Sequence, residues 1–85
     1  MKTYLEYLQE NPNDWNVIVL NSYESRTRMG QGMVIQGCLM YYAGQGLEDK
    51  EVFRRALREY PVEPFRTRWI YWWLKDRGIL AKARL

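Results

Sequence analysis

Histidine is absent from this 85-residue chain, and cysteine occurs once, as Cys38. Ser-His-Asp and Cys-His nucleophile pairs therefore cannot be assembled from it. A tetrahedral zinc or iron–sulfur site needs three or four Cys or His ligands, and a single thiol supplies neither that set nor an internal disulfide. Cys38 is expected to act as a small buried hydrophobe, and the missing disulfide framework fits a reducing compartment. Long apolar runs are missing too. No stretch reaches the ~18 residues that a membrane-spanning helix requires. The N-terminal segment, with Glu6 in its first turns, lacks the apolar run of a signal peptide. The expectation is a soluble cytoplasmic protein with no membrane partner and no small-molecule cofactor.

What is present is apolar and aromatic. Hydrophobic residues make up 47% of the chain and aromatic ones 15%, enough for a folded core in one domain spanning residues 1–85. Charge is unevenly spread. Residues 1–49 carry three basic and six acidic side chains, whereas residues 50–85 carry ten and four. Such asymmetry points to a surface for a polyanion or an acidic partner.

The fold class expected is mainly α. Thr3 is placed to cap a helix reaching Glu10, and Asn11-Pro12-Asn13-Asp14 breaks it, leaving Asn13 or Asp14 to cap the next segment. Val17-Ile18-Val19-Leu20 fits a buried helix turn or a buried strand. Residues 29–42 are apolar but contain Gly30, Gly32 and Gly37, which weaken a helix yet permit close approach of a neighbour. As a helix this segment takes Ser25 as its cap and Gly44 as its stop. The alternative is α+β, with an N-terminal hairpin formed by residues 16–20 and 33–40.

Periodicity is clearer beyond residue 49. At 100° per residue, Val52, Phe53, Ala56, Leu57 and Tyr60 share an arc of about 140°, with Arg54, Arg55 and Arg58 opposite. Asp49 is expected to cap this helix, Glu51 to pair with Arg55, and Pro61 to end it. Pro64 then opens a second helix that runs to about Arg77 and stops at Gly78. Its run Trp69-Ile70-Tyr71-Trp72-Trp73-Leu74 predicts burial on most sides, with Phe65, Trp69, Trp72 and Trp73 in the core and Arg68, Tyr71 and Lys75 as the outward strip. Replacing one such buried Trp by Ala is expected to cost about 3–5 kcal/mol.

In element lengths, the helix pair joined by Pro61-Val62-Glu63-Pro64 resembles a helix-turn-helix unit, with a proline-rich turn in place of the usual glycine. That resemblance implies a nucleic-acid-binding regulator. Arg66, Arg68, Tyr71 and Lys75 would face a groove, and Arg54, Arg55 and Arg58 the phosphates. Nine of the thirteen cations are Arg, which suits bidentate contact with phosphate, guanine or carboxylate. A second expectation is a protein–protein inhibitor or modulator of a larger acidic partner, since Trp, Tyr and Arg dominate interface hot spots. Short phage and mobile-element proteins such as anti-CRISPR or host-takeover factors act in this way. A homodimer hiding surplus aromatic surface belongs to the same class.

Catalysis is not expected. Glu48 and Asp49 precede a helix, where acidic residues favour its dipole more often than they act as acid and base. Gly30-Gln31-Gly32 does not open a dinucleotide-binding loop, because Ile35 stands where the next glycine is needed. It also lacks the Gly-Lys-Ser/Thr of a Walker loop.

Overall fold

Thr3 and Glu6 begin the fold with a reciprocal cap. The Thr3 hydroxyl accepts from the Glu6 amide, and the Glu6 carboxylate accepts from the Thr3 amide. This starts α1 (Tyr4–Glu10), and Pro12 lies in the turn after it. The Asp14 carboxylate accepts the Asn16 amide at 2.9 Å and opens α2 (Trp15–Leu20). Thr27 caps α3 (Arg28–Gly44) by accepting from the Gly30 amide. A turn through Gly46, at φ 85°, leads to α4 (Asp49–Glu59), followed by α5 (Pro64–Asp76). Gly78, at φ 72°, occupies the left-handed region that favours glycine and turns the chain into α6 (Ile79–Ala83). The computed structural model describes residues 1–21, 26–60 and 64–85. Ser25, the expected α3 cap, and Pro61, the expected α4 stop, lie outside them.

The protein is mainly helical, with no strand among the described residues. The hairpin alternative is thereby corrected, because residues 16–20 lie in α2 and residues 33–40 in α3. The physical reason is visible in α3. Val34, Ile35, Cys38, Leu39, Tyr42 and Ala43 recur at helical spacing and are all buried. This stripe lets α3 touch each of the other five helices and makes it the central element. Around it pack Tyr4 and Leu8 of α1, Val52 and Ala56 of α4, Tyr71 and Leu74 of α5, and Leu80 of α6. The sequence reading did not anticipate α6. Its five residues are too short to show a period, yet they bury Leu80 against the core.

Two polar joints fasten the N-terminal helices to this core. Glu59, at the end of α4, accepts the Tyr42 hydroxyl at 2.6 Å and the Leu5 amide at 2.8 Å, while the Tyr42 oxygen accepts the Tyr4 amide at 3.1 Å. Elsewhere the Asn16 side-chain Nδ2 donates to the Tyr4 hydroxyl directly over Gly37. A Cβ at Gly37 would collide with both groups, so a glycine here allows α1 and α2 to close on α3. Cys38 is fully buried, as expected, with its thiol 3.7 Å from Glu59. Burial, reinforced by that carboxylate, pushes the thiol far above its ordinary pKa, so it stays protonated and unreactive near neutral pH.

Candidate partner-binding face

The α4 stripe follows the sequence reading. Val52 and Ala56 are buried, and Arg54 and Arg58 are exposed. Glu51 engages Arg54 at 3.2 Å and Arg55 at 3.3 Å, so two of the three cations are already partnered within the helix. Arg55 also lies over the Tyr42 ring. The expected role of Asp49 is corrected. Glu48 is the N-cap of α4 and makes no side-chain cap hydrogen bond, while Asp49 pairs with Arg84 and, at 3.4 Å, with Lys75. Burial alone would raise the Asp49 carboxyl, but Arg84 foremost, with Tyr71 and Lys75, holds it below its ordinary value.

In α5 the structure keeps part of the predicted orientation and overturns the rest: Arg68 and Lys75 are exposed and Leu74 is buried as expected, but Tyr71 turns inward and Phe65, Trp69 and Trp72 turn out. Thr67, Tyr71 and Leu74, at i, i+4 and i+7, turn inward, and Tyr71 packs edge-on against Phe53. Phe65, Trp69 and Trp72 turn outward, with 86%, 67% and 51% of their surfaces exposed. Tyr71 is therefore not part of an outward strip. This orientation follows from packing, since α5 packs against α3, α4 and α6 together. The side carrying Thr67, Tyr71 and Leu74 faces that junction, with Trp73 packed at its edge. None of the four Trp is fully buried: Trp15 is exposed, and Trp73 is half-buried against the core.

Cations border this aromatic ridge on both sides. Toward α4, Arg68 lies over the Phe53 ring and Lys75 lies 5.1 Å from the centre of the Trp72 ring. Toward α3, Arg77 covers the Trp73 ring at 4.2 Å. Arg66 bonds the Gln31 side chain at 2.9 Å and the Arg28 carbonyl. The seven residues expected to form one site thus divide three ways: Arg54, Arg55 and Arg58 on α4, Arg66, Arg68 and Lys75 along the two flanks of α5, and Tyr71 inside.

Sequence reasoning missed Phe65, Trp69 and Trp72 as surface residues. Asp76 carried the signal that this side faces water, because it continues their i, i+4, i+7 register by four residues. Beside the ridge, Met29, Met33 and Gln36 of α3 face Phe65, Trp69 and Trp73 across an open groove of about 690 Å³. Gly32 lies in the same groove, and the Arg66 guanidinium would sit 3.3 Å from a Cβ there.

Among the described residues no group of His, Cys, Asp and Glu is arranged to hold a metal ion, and no helix is long and apolar enough to cross a membrane. No protein-family model, curated protein or solved structure matches the chain.

Proposed function

We propose that this is a non-enzymatic binding protein that docks on a larger protein partner through the outer side of α5, acting as an inhibitor or modulator of that partner. One observation carries the reading: Phe65, Trp69 and Trp72, three of the bulkiest side chains, stand exposed together on the outer side of one helix. With side chains of ~150–250 Å² each, Phe65, Trp69, Trp72 and Met29 together expose on the order of 500 Å². A patch of that size, when contiguous, lies at the upper end for a monomer and marks a functional surface. Trp and Arg side by side are also the residue types from which interface hot spots are built.

The test is affinity capture from source cells with the full chain and with the Trp69→Ala/Trp72→Ala double variant, followed by titration against the purified partner. The reading expects a defined complex that the double variant weakens by roughly a hundredfold, as loss of two anchors does. Equal affinity of both proteins for that partner would remove α5 from the interface.

A second reading, a nucleic-acid-binding regulator, draws support from the exposed Arg54 and Arg58 on α4 and from Arg68 at the α4–α5 border. It expects duplex DNA binding that weakens steeply with salt and is lost in Arg54→Glu/Arg58→Glu. Absence of binding at low salt would exclude it for duplex DNA.

A further inference from the structure

We infer that the groove between α3 and α5 seats an amphipathic helix whose flanks are acidic, which names the partner chemistry for the α5 docking proposal and rests on it. Three features specify the occupant. The first is length. Residues 29–36 on α3 and 65–73 on α5 form walls of about 11–13 Å at 1.5 Å per residue, enough for two turns of an incoming helix. The second is lining. Met29, Met33, Trp69 and Trp73 offer flexible thioethers opposite rigid rings, a combination that accepts apolar anchors at i, i+3 or i+4, and i+7.

The third is charge. Arg28 and Arg66 line the groove, and Arg77 lies over Trp73 at its edge. Acidic residues beside the anchors would meet these cations. The same charges argue against a second copy of this chain as the occupant. An isologous contact along α5 would bring the group Arg66, Arg68, Lys75 and Arg77 of one copy against the same group of the other, with Asp76 as the acidic residue on that stretch of the helix.

The test pans a displayed library of random 16-residue peptides on the immobilised full-length protein, then titrates the resynthesised consensus peptide against Met29→Glu and Trp72→Ala. Met29 is 77% exposed, so its substitution leaves the core intact. The inference expects enriched peptides with apolar residues at helical spacing and Asp or Glu between them. It expects Met29→Glu to weaken the consensus peptide roughly tenfold or more, as loss of an anchor does. Lack of enrichment, or enrichment of basic peptides, overturns it. So does acidic-peptide binding that survives Met29→Glu but falls in Trp72→Ala, which leaves the α5 face as the docking surface and removes the groove. A labelled duplex DNA whose binding is abolished by Met29→Glu would assign the groove to nucleic acid and overturn it as well.

Discussion

α4 and α5 are consecutive helices that pack on each other and on α3, yet they show solvent opposite chemistries. α4 presents Lys50, Arg54 and Arg58 and keeps its apolar stripe inside, the ordinary arrangement for a surface helix. α5 buries a threonine, a tyrosine and a leucine and presents Phe65, Trp69 and Trp72. The difference separates the charged, solvated face of α4 from the exposed aromatic face of α5 that we propose as a docking surface. Charge on α4 is partly neutralised by Glu51 in the same helix, whereas among the described residues Phe65, Trp69 and Trp72 of α5 leave half or more of their surface exposed. The tyrosines sharpen the contrast. Tyr4 and Tyr42 are buried with their hydroxyls bonded, so the core takes its aromatic content from rings with a polar end to fasten.

The largest effect breaks the comparison inside α5. Leu74→Ala, at a fully buried position, is expected to cost about 2–5 kcal/mol. Trp69→Ala should change stability by less than about 1 kcal/mol because most of the ring is already in water. Urea unfolding of the two variants checks the order, and a larger loss for Trp69→Ala would restore the buried orientation that the residue run suggests.

Next in size is the polar joint at the end of α4. Glu59→Ala leaves the Tyr42 O–H without its acceptor and releases the Leu5 amide to solvent, at a cost of about 1–3 kcal/mol. Hydrogen exchange at α1 should rise in the same variant, because α1 loses the Leu5 bond to α4. The same joint gives a pH dependence. Burial first, then the Glu59 carboxylate, raises the Tyr42 hydroxyl above its ordinary pKa, and Tyr4 and Cys38 are also raised. A group raised in the folded state binds more protons folded than unfolded, so its contribution is complete below the unfolded value and declines above it. Stability is therefore expected to fall as pH climbs past about 8.5 for the thiol and about 10 for the tyrosines. Denaturant midpoints across that range measure it, and a flat profile contradicts it.

The smallest effect is at Thr67. Its hydroxyl is buried and has no hydrogen-bond partner among the described residues. Thr67→Val keeps the shape and removes an unpaired polar atom, so it should stabilise by up to about 1 kcal/mol. A loss of stability would instead reveal a partner for that hydroxyl.

These residues also explain what was legible beforehand. α1 could be read from its Thr3 cap and the breaker after it, and α4 from its clean apolar stripe, because in both helices polarity and direction agree. The helical state of residues 29–42 was readable only as one of two options, since three glycines masked a regular core stripe. In α5 polarity does not encode direction. Six apolar residues in succession fit almost any rotation, and side-chain size pointed to the wrong side. What selected the rotation was the space left between α3, α4 and α6, a tertiary property with no local signal apart from Asp76. The same holds for Asp49, whose position suggested a cap but whose partners, Lys75 and Arg84, arrive from 26 and 35 residues away.

The most direct test of a tryptophan-bearing outer face is acrylamide quenching of the intrinsic fluorescence, with the emission maximum, for the folded protein and for the protein in denaturant. With Trp15, Trp69 and Trp72 exposed and Trp73 half-buried, most of the folded emission should already be red-shifted and open to acrylamide, with a minor shielded component from Trp73. A blue-shifted emission, shielded from acrylamide until the protein unfolds, would place the indoles in the core and contradict α5 as a binding face.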